Sequence, residues 1–222
     1  MSRKPVRNIP INNRSLTGRV STRKAGAVGE FESSLERDFL VLLDFDPAVE
    51  TFTTQPLRIP WRDSEGRSRQ YTPDVLVRYR TVEEAPNRRR EWLFEVKYRD
   101  DLFQQWAYLK PALKAARRYC RERGWAFGIR TEVEIRGPRL ENARFLRPYR
   151  RGDIDPSSRR AVAEAIAQAT VPEPEAVLAS ITENVWERAE LLHTLWQLVA
   201  RGEVRADLSA PLGMRTRLWR PT

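Results

Sequence analysis

The sequence predicts an α/β fold, a mixed sheet flanked by helices, followed by a smaller helical module that ends in two short strands. Three observations carry this. Apolar residues recur at helical spacing around "ESSLERDFLVLL" and again between Leu102 and Arg123. Runs rich in β-branched and aromatic residues lie between and after them: "VETFTTQPLRIPW", "YTPDVLVRY", "WLFEVKYR" and "WAFGIRTE". Beyond residue 151 the strand signal gives way to helical stretches.

Taken in order, residues 1–27 carry Arg and Lys with few large apolar groups and read as a weakly structured basic arm. The main domain is placed at 28–151. Its first helix is expected from about Glu30 to Leu43, with Phe31, Leu35, Phe39, Leu42 and Leu43 as the apolar stripe. Pro47 ends it by disfavouring helical geometry at Asp46. "VETFTTQPLRIPW" is extended, "RDSEGRSRQ" a polar turn, "YTPDVLVRY" a second strand, "TVEEAPNRRR" a loop and "WLFEVKYR" a third strand. Their succession suggests an antiparallel meander. A helix from about Leu102 to Arg123 follows, with Leu109, Leu113, Ala116 and Cys120 near one face. Gly124 suits its C-terminal cap, and Pro111 is expected to kink or split it. "WAFGIRTE" is a fourth strand, which the helical crossover allows to pair parallel with the third. "LENARFL" supplies a short helix. In 152–222, Ser157 or Ser158 is expected to cap a helix running to Ala169. A Pro-rich hinge follows, then helical stretches at 174–181 and 184–201 closed by Gly202, and two short strands. This order suggests a winged-helix-like module, with Trp186, Trp196 and Trp219 in its core and His193 as a structural side chain.

Composition narrows the function. The 222 residues carry a formal net charge of +10. Arg forks suit phosphate oxygens better than the point charge of Lys does, so a polyanion, most simply nucleic acid, is the expected partner. The plain alternative is a basic protein with scattered Arg–Glu pairs. A single cysteine, Cys120, rules out an intramolecular disulfide and fits a reducing cytoplasm. No apolar run approaches the ~20 residues that span a bilayer. "MSRKPVRNIP" lacks the apolar stretch of a secretory signal, so a DNA-associated cytoplasmic protein without a membrane partner is expected.

"EWLFEVKYRD" places Glu95 and Lys97 two residues apart among apolar side chains. In a strand, Leu93, Glu95 and Lys97 share one face and Phe94 and Val96 the other. The first face starts apolar and turns charged, as where a strand leaves the core for a cleft. A cross-strand salt bridge would explain the pair equally well. Asp74 stands at the head of an apolar strand, a costly place for a carboxylate without a partner. Asp74 and Glu95 on neighbouring strands can hold a divalent cation, and hard oxygen ligands favour Mg2+. From the first helix, Glu36 borders the apolar stripe and joins them as a third acid, with Glu32 a less certain fourth. Both acids also suit the positive end of a helix dipole.

Pro73-Asp74, an apolar strand, a loop and Glu95-x-Lys97 resemble the motif of the PD-(D/E)xK nuclease superfamily, the restriction-endonuclease-like fold. A longer match is more specific. "ESSLERDFLVLLDFDPAVETFTTQPLRI", "YTPDVLV", "FEVKYRDDL" and "LENARFLRPYR" together are similar to the TnsA family, endonuclease subunits of heteromeric bacterial transposases, over about residues 28–150. Some members of that family carry Gln where Glu95 stands; Glu is the usual superfamily choice. The resemblance implies Glu36, Asp74, Glu95 and Lys97 as catalytic residues. It implies a metal shell of Glu36, Asp74, Glu95 and the Val96 carbonyl around Mg2+, with Mn2+ as a substitute. The cation would polarise the scissile phosphate and acidify a water, and Lys97 would orient that water and offset charge on the phosphate. It also implies cut-and-paste transposition, with cleavage of 5′ strands in double-stranded DNA at transposon ends. The partners would be a DDE-type transposase, TnsB, and an ATPase regulator, TnsC.

Candidate DNA contacts are Arg88, Arg89, Arg90, Arg99, Gln104, Arg117 and Arg118, with Trp106 read as core. Two other readings stay open: a stand-alone repair, resolvase or restriction nuclease of the same superfamily, and a non-catalytic DNA-binding scaffold.

Overall fold

The strands anticipated between residues 49 and 132 assemble into a four-stranded mixed sheet. The computed structural model describes residues 18–20, 22, 24, 29–81 and 90–220. The chain divides into two units, Met1–Arg136 and Gly137–Thr222. The first contains β1 (Gly18–Val20), β2 (Gly29–Phe31), α1 (Ser34–Phe45), β3 (Val49–Thr54), β4 (Ile59–Arg62), β5 (Ser68–Tyr71), β6 (Val75–Tyr79), β7 (Glu91–Val96), α2 (Arg99–Gln104), α3 (Trp106–Glu122), β8 (Ala126–Arg130) and α4 (Glu132–Ile135). Sheet order is β3-β6-β7-β8. The first two pairings are antiparallel, and β7–β8 is parallel across the α2–α3 crossover, as the sequence suggests.

Helix α1 starts later than its apolar stripe implies. Glu30 and Phe31 belong to β2, which pairs antiparallel with β1 inside the supposed basic arm. Ser33 is the N-cap: its hydroxyl accepts from the Glu36 N–H at 3.1 Å, satisfying an otherwise orphan donor of the first turn. The helix then buries Leu35, Phe39, Leu40 and Leu43 against Phe52, Val77, Phe94 and Val96 of the sheet.

The run "VETFTTQPLRIPW" is two strands in two sheets. At Gln55 the backbone turns to φ 44°, and Pro56 has no N–H to continue a ladder. The chain leaves the main sheet there, and β4 pairs with β5 in a separate hairpin. The expected polar turn therefore shrinks to residues 63–67, where Asp63 N–H donates to the Arg67 carbonyl at 3.1 Å. Ile59 and Leu93 pack with Ala116 and Cys120 of α3 as a second core. Strand β7 is thus buried on both faces, Phe94 and Val96 toward α1 and Leu93 toward α3.

The helical crossover breaks at Gln105, not at Pro111. Gln105 N–H closes α2 on the Asp101 carbonyl, and its own carbonyl opens α3 by accepting from Tyr108 and Leu109. Pro111 sits inside α3, which continues past it. Trp106, expected in the core, is 43 % exposed at the first position of α3, more than a turn ahead of the buried Ala112, Leu113, Ala116 and Cys120.

The second unit contains α5 (Pro138–Leu146), a 3-10 turn at Pro148–Arg150, α6 (Pro156–Gln168), α7 (Pro174–Ile181), α8 (Val185–Arg201) and an antiparallel ribbon of β9 (Arg205–Ala206) and β10 (Leu218–Trp219). Helix α5 belongs here: Asn142 donates to the Leu208 and Ala210 carbonyls and accepts from Leu212 N–H. The division therefore falls before α5, whereas the sequence reading set it at 151/152. The cap of α6 is Asp155, whose carboxylate accepts from Ser158 N–H at 2.8 Å; Ser157 and Ser158 lie within the helix. Trp196 is buried with Leu191, Leu195 and Leu198. Trp186 is 82 % exposed and Trp219 44 %, against the expectation that all three tryptophans pack inside. Trp186 stands in the first turn of α8, beside the cap residue Asn184 and away from the buried stripe. His193 is exposed and lies against the Tyr149 ring, 5.1 Å between centroids.

Candidate active site

Asp74 is held by its own peptide group. Its N–H donates to the Phe94 carbonyl of β7 at 3.2 Å, and its carbonyl accepts from Gln55 N–H at the end of β3 at 2.7 Å. Pro73 adds no donor of its own and directs the chain into β6. Clamped this way, Asp74 turns a carboxylate oxygen to the Val96 N–H, 2.6 Å away. The first acid of the motif is thereby tied to the residue between its Glu and its Lys.

Glu95 is buried in β7 and accepts a hydrogen bond from the Tyr71 hydroxyl. Tyr71 packs with Leu93 in the α3-side core, which places Glu95 on the face the alternation of β7 predicts. Lys97 lies one residue past β7, and its N–H still pairs with the Arg130 carbonyl at 3.0 Å. Its ammonium is 4.0 Å from a Glu95 oxygen. Glu36 arrives from the first turn of α1. One carboxylate oxygen accepts from Glu32 N–H at 2.8 Å and the other from the Ser33 hydroxyl at 2.9 Å.

Burial raises the Asp74 carboxyl well above the usual carboxylate range, and Glu95 and Glu36 push it further up; the Val96 N–H and Lys97 pull against this. Glu95 is raised chiefly by burial, opposed by hydrogen bonds from Tyr71 and Asp74 and by Lys97. Glu36 is raised by burial, with Glu32 and Glu95 adding to the effect. Tyr71 is held neutral by burial and by the two acids beside it, so it acts as a donor. Asp74 keeps an opening to solvent although protein surrounds its carboxylate. These three acids interact with one another, and Lys97 offsets Asp74 and Glu95.

Whether a divalent cation fits follows from this donor set. Among the described residues no three Asp, Glu, His or Cys side chains are grouped closely enough to hold a metal together. Asp74, bonded to Val96 N–H, adjoins Glu95 and interacts with it electrostatically, and Mg2+ needs only one or two carboxylates beside waters and phosphate oxygens. Two adjoining buried acids with one nearby ammonium are under-compensated in charge, which a cation would relieve. The residues fit the ion, with Asp74 and Glu95 at its centre and Glu36 within electrostatic reach.

The expected DNA contacts are dispersed. Arg99, Gln104, Arg117 and Arg118 are exposed on α2 and α3. Arg90 is engaged by Glu50 at 2.8 Å and by the Tyr79 carbonyl. Arg88 and Arg89 lie outside the described residues. Sequence reasoning missed Tyr71 and Gln55. The only signal for either was a polar side chain adjoining a Pro-interrupted apolar run, in "TTQPL" and "YTPD".

A mixed sheet that carries Pro-Asp and Glu-x-Lys to adjoining strand ends, with helices around it, defines a restriction-endonuclease-like nuclease. The particular family follows from two matches: residues 46–132 to the TnsA-like endonuclease N-terminal model and residues 134–208 to the TnsA endonuclease C-terminal model. This chain belongs to the TnsA endonuclease family. No curated protein matches it. Among the described residues no helix is long and apolar enough to cross a membrane.

Proposed function

We propose that this chain is the metal-dependent DNA-cleaving subunit of a heteromeric transposase, cutting the 5′ strands at transposon ends during cut-and-paste transposition. The observation that carries the reading is the meeting of Asp74, Glu95 and Lys97 at the end of β7, with the Val96 peptide between them.

Exposed Arg99, Arg117 and Arg118 meet backbone phosphates, with Gln104 beside them. Asp74, Glu95 and the Val96 carbonyl would hold Mg2+ or Mn2+, with Glu36 acting on the ion from within electrostatic reach. When bound, the cation supplies positive charge against the scissile phosphate and acidity to a water. Lys97 orients that water and offsets charge gathering on the phosphate. Tyr71 holds the Glu95 carboxylate in place through its hydroxyl. The 3′ strands fall to a DDE-type transposase, TnsB, and an ATPase, TnsC, regulates the assembly in the cytoplasm.

The test is cleavage of end-labelled transposon-end DNA by this chain with TnsB, in Mg2+ and in EDTA. Cuts on the 5′ strands, present only with the metal and absent from Lys97→Ala, are expected beside the 3′-strand cuts of TnsB. Undiminished 5′-strand cutting by Lys97→Ala, or 5′-strand cutting in EDTA, refutes the assignment.

A further inference from the structure

Gln55 stands where β3 ends. It is the one non-glycine residue at positive φ among the described residues, at 44°. It also precedes Pro56, whose ring favours an extended, negative-φ backbone at this position. Such a conformation in a long side chain persists only where its surroundings hold it. The residue is 7 % exposed. Its side-chain carbonyl oxygen is buried and finds no hydrogen-bond partner among the described residues. Most buried polar atoms have one, so this exception calls for a reason. The amide orientation is set by its neighbour. Nε2 donates to a Glu32 oxygen at 3.0 Å, and a flipped amide would set two acceptors against each other.

The contacts of Gln55 join two parts of the acid centre. Its N–H holds the Asp74 carbonyl at 2.7 Å. Its side chain holds Glu32, whose own N–H donates to Glu36 at 2.8 Å. Asp74 and Glu36 come from different elements, and one residue of β3's end connects them.

We infer that Gln55 is a positioning residue of the nuclease centre: it fixes the Asp74 peptide, places Glu36 through Glu32, and keeps a buried carbonyl oxygen for a donor such as a water. The inference rests on the nuclease reading above. Glycine would adopt this backbone more easily, and what the carboxamide holds offsets the strain at Gln55.

The test uses the full chain. Gln55→Gly suits the backbone and retains the N–H to Asp74, so it melts no lower than wild type in EDTA. Its Mn2+ affinity by calorimetry falls about tenfold or more, as does kcat on DNA, with KM unchanged. Glu32→Ala reproduces the loss, Glu32→Gln restores an acceptor for Nε2 and rescues it, and the double variant Gln55→Gly/Glu32→Ala loses no more than either alone. A folded Gln55→Gly with Mn2+ affinity and kcat within about twofold of wild type overturns the inference alone. Losses that multiply in the double variant overturn the link through Glu32. A wild-type chain that binds no Mn2+ overturns both this inference and the nuclease reading.

Discussion

In Asp74→Asn a carboxylate becomes a neutral amide of nearly the same size. The amide oxygen still accepts from Val96 N–H, which lies 2.6 Å from the native carboxylate, so the local backbone keeps its partner. What changes is charge. Asp74 sits with Glu95 and Glu36 in electrostatic contact, and Lys97, 4.0 Å from Glu95, is the offsetting ammonium. Removing one of three mutually repelling acids relieves the metal-free fold by about 1 kcal/mol, a fraction of the several kcal/mol that burying an unpaired ion costs. In a chain of this size that is a melting temperature about 2–4 °C higher. Metal reverses the order. At a concentration 100 times its Kd the wild type gains about 2.7 kcal/mol, and the variant, lacking a ligand, gains less. Cleavage falls by about 10³-fold or more, as when one member of a group acting as a unit is lost. Thermal melts in EDTA and in Mg2+, run beside a DNA cleavage assay, read all three effects. A variant that melts below wild type in EDTA, or that still cuts, refutes the reasoning.

Three further outcomes follow from elsewhere in the chain. Burial pushes the Cys120 thiol up to about 11, so a thiol reagent at pH 8 leaves it unmodified in the native protein and labels it promptly in denaturant. Asp63 is held down at about 2 by hydrogen bonds, first from the Arg67 side chain. Its folded value is depressed, so its contribution to the β4–β5 hairpin is present above the ordinary carboxylate range and is lost as pH falls toward 2; carboxyl NMR shows the low midpoint, and Arg67→Ala moves it upward. In Gly128→Ala the added methyl meets the Phe94 ring at 2.9 Å, in a core where Phe94 already stacks on Trp92 and meets Phe39 edge-on. Overpacking there costs about 1–3 kcal/mol, read as a lower denaturant midpoint at unchanged m.

The main sheet was legible because its strands are short apolar runs bounded by Pro and polar turns, and because a helix between β7 and β8 permits parallel pairing. Strand β5 was not. "SRQY" is polar and largely exposed, with no alternation to read, and it is a strand because β4 offers it an edge. The start of α1 was misplaced because Phe31 fits the helical stripe, whereas its burial comes from β2 packing against α1. Trp106 and Trp186 show the limit of composition: a large aromatic favours burial, but its place on the helix decides whether a partner is there. Asp74, Glu95 and Lys97 stood out through spacing that matches a known motif. Tyr71 and Gln55 act through partners 24 and 23 residues away in sequence, and no local pattern encodes such contacts.

If Asp74 and Glu95 hold a divalent cation beside Lys97, anomalous diffraction from crystals grown with Mn2+ shows one strong peak within ligand distance, about 2.0–2.6 Å, of oxygens from both carboxylates and the Val96 carbonyl. A peak bound by other residues, or none at saturating Mn2+, contradicts that placement.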